Sequence, residues 1–199
     1  MEFSRMNIIN ACINTYGYKH FLEIGLDEGL CRDGVFIDNK TSVDPSPYSD
    51  NPTHFMTSDD FFKQNKEKFD IVFVDGLHEA NQVYRDIINS LDFLLDGGTI
   101  LCHDMMPMSK NQQTKERNNL LWLGDCWKAY AKLKGTRSDL EMFIVDQDYG
   151  VGVIRRGSQE ISKELDIDIS EMDWDFYVKH KDLLNYVSWN EFGQKLKYK

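Results

Sequence analysis

The segment Phe69–Asp75 (FDIVFVD) constrains the fold more than any other part of this chain. Ile71, Val72, Phe73 and Val74 follow one another without a polar break, and all are β-branched or aromatic. A strand with one wet face would alternate, so this run fits a central parallel strand covered on both sides. Parallel neighbours need crossover connections, usually helices. One follows at once. Ala80, Val83, Tyr84, Ile87, Ile88, Leu91 and Leu95 recur at helical spacing, which predicts a helix of about fifteen residues.

The remaining chain continues the alternation. Phe3, Met6, Ile9, Cys12, Ile13 and Tyr16 predict a helix over 3–16 stopped by Gly17, and KHFLEIG (19–25) reads as a short buried strand. Thr41–Asp44 is a second strand ended by Pro45, and Pro45, Pro47 and Pro52 mark one irregular loop. Thr57 with Asp60 fits a capping box that starts another helix. Asp96-Gly97-Gly98 reads as a turn into a strand at Thr99–Cys102, and Leu120, Leu123, Trp127, Tyr130 and Leu133 predict a further helix. Glu141–Asp146 and Val151–Arg156 flank a turn with Gly150, an antiparallel hairpin. Beyond Gly157 the pattern is helical, with Ser170/Asp173 and Ser188/Glu191 as start signals. The expectation is an α/β, Rossmann-like doubly wound sheet in a single domain over 1–199. Residues 1–157 form its core and 158–199 a helical C-terminal extension.

Composition narrows the partners. In 199 residues, 33 acids against 23 bases give a net charge of −10, which repels a phosphate backbone and argues against nucleic acid. No run approaches the ~20 apolar residues that membrane insertion needs, and MEFSRMNIIN lacks a leader's apolar core. Four cysteines without a C-x-x-C pair suit free thiols in a reducing, cytoplasmic setting.

In an open α/β sheet, ligands bind beyond the carboxyl ends of the strands. Here those ends carry Glu23 and Gly25, Asp44, Asp75 with His78, and His103 with Asp104. Packing alone does not place so many titratable groups along one edge, because a buried unpaired carboxylate is costly. The first turn, Glu23-Ile24-Gly25-Leu26-Asp27-Glu28-Gly29, lacks the G-x-G-x-x-G spacing of a dinucleotide site, and Asp27-Glu28 would repel phosphate. An acidic turn suits the cationic ligand S-adenosylmethionine, with Asp44 placed for ribose hydroxyls; the two glycines also serve simply as a tight turn.

LEIGLDEG, SVDP, MTSDDFF, FDIVFVDGLHEANQVYRDI, GGTILCHDMMP and DYGVGVIRRG, in this order, resemble a family of class I S-adenosylmethionine-dependent methyltransferases associated with glycan and polysaccharide biosynthesis. The resemblance covers roughly residues 1–157 and implies a seven-stranded sheet with an antiparallel terminal hairpin. It places Glu23 against the methionine amino group, Gly25 beside the methionine moiety, Asp44 on the ribose and Ser58-Asp59 near the adenine. The layout is also similar to metal-dependent catechol O-methyltransferase. That similarity implies a divalent metal, magnesium or manganese, held at Asp75 and the His103-Asp104 pair, with His78 in the base position. The imidazole of His103 departs from the oxygen ligands magnesium prefers and favours manganese or another transition metal.

These readings converge on methyl transfer to oxygen, with a small-molecule or glycan acceptor, most simply a sugar hydroxyl, and His78 and His103 as catalytic candidates. A neutral His78 would be a competent base near pH 7. The rival readings are a nicotinamide-dependent oxidoreductase on a similar sheet and a non-catalytic cofactor-binding module. Met105, Met106 and Met108 are candidates for an acceptor pocket, Lys110–Asn119 for a lid, and Trp122 and Trp127 for core filling.

Overall fold

The computed structural model describes residues 4–117 and 120–197. Phe3 of the predicted first helix and Asn118–Asn119 of the predicted lid lie outside them.

The predicted central strand is β3 (Phe69–Val74), and its side chains divide between two cores. Val72 and Val74 join the cluster under α4 (Ala80–Phe93) and α5 (Trp127–Thr136). Ile71 and Phe73 join the cluster under α1 (Arg5–Tyr16) and α7 (Trp189–Lys197). Two-sided burial is why the run shows no alternation. α4 buries Val83, Ile87 and Leu91, each contributing roughly 1.5–3 kcal/mol relative to exposure.

The strands β1 (His20–Ile24), β2 (Asn39–Val43), β3, β4 (Leu94–Cys102), β5 (Leu140–Val145), β6 (Val151–Arg156) and β7 (Tyr186–Val187) form one seven-stranded sheet, ordered β2-β1-β3-β4-β6-β5-β7. All neighbours pair in parallel except β6, which is antiparallel to both β4 and β5. The Rossmann-like fold class, with its antiparallel β5–β6 pair, is therefore as the sequence indicates. Chain order reverses between β1 and β3, and a ligand crevice belongs at that switch point.

Four local expectations are corrected. β4 begins at Leu94, so Asp96-Gly97-Gly98 lies inside the strand; left-handed Gly97 (φ 76°) sits in a register shift against β3. α5 starts at Trp127 rather than Leu120, which is 94% exposed and outside any helix. The 158–199 tail is not purely helical, because β7 pairs with β5 and supplies the seventh strand. Ser170 does not start a helix with Asp173. Asp173 itself caps α6 (Trp174–His180), accepting from the Phe176 N–H at 2.8 Å.

Short 3-10 turns fill the rest of the tail. None of the four cysteines forms a disulfide. Among the described residues, no helix is long and apolar enough to cross a membrane.

Candidate active site

A cleft of about 660 Å³ opens over the carboxyl ends of β1, β2, β3 and β4. Its floor is the close approach of β1 to β3. Gly25 has φ 85°, and a Cβ there would meet the Asp75 carbonyl oxygen at 2.2 Å, so only glycine lets the two strand ends lie this close. The ladder continues past the strands, with Asp75 N–H donating to Ile24 O and His103 N–H to Val74 O. These bonds aim the polar residues at one edge.

Asp44 organises the first turn. Its Oδ2 accepts from the backbone N–H of Leu26 (2.8 Å) and Asp27 (3.2 Å), and its Oδ1 from Ser46 N–H (2.7 Å). The amides that would cradle a pyrophosphate are thus committed to a carboxylate, and Asp27 lines the same wall.

At the other end of the cleft sit two acids and two imidazoles. Asp75 Oδ1 lies 3.4 Å from His78 Nε2 and 3.3 Å from His103 Nδ1. Asp104 Oδ2 lies 3.2 Å from His78 Nδ1, and Oδ1 lies 3.1 Å from His103 Nδ1. His103 Nε2 meets the Asp148 carbonyl at 2.8 Å. Burial would raise the Asp75 carboxyl, but His103 and His78 hold it far below the usual carboxylate range. Burial likewise opposes charge on the imidazoles. Even so, Asp75 and Asp104 raise both of them, His103 more strongly, with Asp148 assisting there. Both imidazoles thus hold a proton more tightly than a free histidine does, which works against a neutral base at His78.

Asp75, His78 and Asp104 offer donor atoms within 4.8 Å of one another. Asp104 is buried in a left-handed backbone (φ 65°), and its Oδ1 has no directed hydrogen bond among the described residues; nor does His78 Nδ1. A buried carboxylate oxygen with no directed hydrogen bond, as Asp104 Oδ1 is, fits a cation.

Gly25, Asp44, Ser58, Asp75, His78, His103 and Asp104 all line the cleft, as expected. Asp59 does not; it faces Arg85 and Gln82. Glu23 is also absent from the lining. It is 1% exposed on the α1 side of the sheet, where Cys31 is its hydrogen-bond partner and burial pushes its carboxyl up to about 8. Nor do Met105, Met106 and Met108 line the cleft: Met105 is fully buried and Met108 largely exposed.

Trp127 is core, but Trp122 is not. It lines the cleft and stacks on His78 with ring centroids 5.0 Å apart and 17° between planes. Its Nε1–H donates to Thr114 O at 2.6 Å, and Leu123 N–H to Gln112 O at 2.8 Å, so this part of the predicted lid is tied down. Sequence reading missed Arg5, Asp148 and Tyr149 as well. Arg5 stands at the front of α1, where no motif marks it; Asp148 and Tyr149 lie in the β5–β6 turn and open the DYGVGVIRRG segment, whose spacing signals only a hairpin.

Residues 33–105 match a methyltransferase-domain family. That stretch runs from the end of α2 (Leu30–Gly34), the helix after the first turn, to just beyond Asp104. Sequence comparison with curated proteins returns no match. Solved methyltransferases share the fold. The O-methyltransferase TomG from Streptomyces achromogenes, involved in tomaymycin synthesis and solved with SAM, is 11% identical with a TM-score of 0.58, over 78% of this chain and 82% of its own. The SAH-bound methyltransferase PaMTH1 from Podospora anserina is 16% identical (TM-score 0.56; 78% and 80%). The N-methyltransferase NodS from Bradyrhizobium japonicum is 16% identical (TM-score 0.53; 77% and 93%). The methyltransferase fold thus serves more than one acceptor atom, and the acceptor must be argued from the site.

Proposed function

We propose that this cleft transfers the methyl group of S-adenosylmethionine to a hydroxyl oxygen. The observation that carries this reading is the first turn: its amides serve Asp44 and its wall is anionic, which suits a cationic, phosphate-free donor and not a dinucleotide. The cleft volume lies within the range of small-molecule sites. Gly25 would admit the donor close to the backbone, Asp44 would face its ribose, and Ser58 its base. Glu23 would act from beneath the floor, its charge favoured once an ammonium group lies near.

When bound, S-adenosylmethionine supplies an electrophilic methyl on a sulfonium. The chain's task is then to align an oxygen with it and receive the proton; such alignment can contribute on the order of 7–11 kcal/mol. His78 is the proton acceptor in this reading, at the imidazole edge between Asp75 and Asp104. Those carboxylates strengthen its hold on a proton, so it serves better as a base where their charge is compensated. A divalent ion held by Asp75 and Asp104 would supply that compensation and acidify a nearby hydroxyl. Trp122 roofs His78, and with Leu77, Leu120 and Leu121 it gives the mouth an apolar wall. A sugar hydroxyl on a glycan or its precursor remains the preferred acceptor, on the family resemblance. A sugar's CH face could lie against that wall.

The test is methyl transfer from labelled S-adenosylmethionine to a panel of sugars, sugar nucleotides and catechols. His78→Ala should retain S-adenosylhomocysteine affinity and lose roughly a hundredfold or more in turnover. Excess EDTA should abolish transfer. Unchanged turnover in His78→Ala would remove the base, and full activity in EDTA would remove the ion.

A further inference from the structure

Arg5 ties together parts of the site that are far apart in sequence. Its backbone N–H donates to Asp148 Oδ2 at 2.7 Å, its Nε to the same oxygen at 3.1 Å, and its Nη1 to Asp75 Oδ2 at 2.7 Å. Asp75 Oδ1 is left facing His78 and His103. The turn it grips is strained: Asp148 (φ 49°) and Tyr149 (φ 59°) are consecutive non-glycine residues in left-handed backbone. Tyr149 lines the cleft. A planar guanidinium never loses its charge and can bond two carboxylates at once.

We infer that Arg5 is a positioning residue, the resident cation of the seat between Asp75 and Asp148. By holding Asp75 Oδ2 it leaves that carboxylate a single oxygen, Oδ1, for an ion in the cleft. The site therefore takes one divalent ion rather than a bridged pair. The count of one rests on the metal reading above; the exclusion of an ion from the Arg5 seat does not.

The probe is Mn²⁺ alone, titrated into the whole protein and followed by electron paramagnetic resonance, with melting curves confirming the fold. Arg5→Ala should bind one Mn²⁺ more than the wild type, because two carboxylate oxygens lose their cation. Arg5→Gln should do the same while keeping an amide donor, and covers the case in which the alanine variant does not fold. Arg5→Lys, which restores the charge, should return to the wild-type count, an outcome that a merely structural role does not predict. The inference is overturned if neither neutral variant gains an ion, or if Arg5→Lys gains one too. A wild type that binds no Mn²⁺ beside neutral variants that bind one would sink the metal reading and support the Arg5 seat. Calorimetry with S-adenosylhomocysteine on the same samples reports separately on the methyl-transfer reading.

Discussion

Asp75, His78, His103 and Asp104 show how little a side chain's ordinary chemistry says once it is packed among others. Each was legible as a strand-end residue, and the fold brings all four within contact distance. What sequence could not show was their mutual charge, because that depends on distances between residues from two different strand ends. Glu23 makes the same point with a measurable consequence. Burial pushes it up to about 8 from an ordinary 4.5. Between those values the unfolded chain has released the proton while the native state retains it, so native stability falls as pH rises. Glu23→Gln cannot release a proton, and its melting temperature should exceed that of the wild type at pH 8. The gap should narrow toward pH 4.5. A gap independent of pH would show that Glu23 is ionised in the fold.

At the scale of elements, the first turn depends on one residue. Gly25→Ala places a Cβ 2.2 Å from the Asp75 carbonyl and forces a left-handed alanine. Strain of about 1–3 kcal/mol for the backbone alone, plus the clash, should lower the melting temperature and abolish S-adenosylhomocysteine binding. An alanine variant with wild-type affinity would show that β1 and β3 can part without harm to the cleft. The helices and strands with long, regular patterns were readable: α1 with its left-handed Gly17, α3 (Ser58–Gln64) capped by Thr57, β3 and α4. Readings failed where local pattern competed with tertiary geometry. Leu120 continues the periodicity of α5, yet the chain uses 120–123 to wall the cleft. β7 is two residues long, too short for any period, and exists only because β5 offers it an edge. Arg5 gave no signal because nothing in a helix start announces a partner 70 or 143 positions away.

For the molecule as a whole, the switch point between β1 and β3 and the acidic edge around it locate the chemistry. Methyltransferases at 11–16% identity share this fold, and the assignment of the methyl donor to this edge is our proposal. Calorimetric titration of the intact protein with S-adenosylhomocysteine and, separately, with NAD puts that assignment to the most direct test. A cleft built for a sulfonium donor should give saturable heat from the thioether at one site per chain and none from the dinucleotide. Saturable binding of NAD with no response to S-adenosylhomocysteine would contradict it.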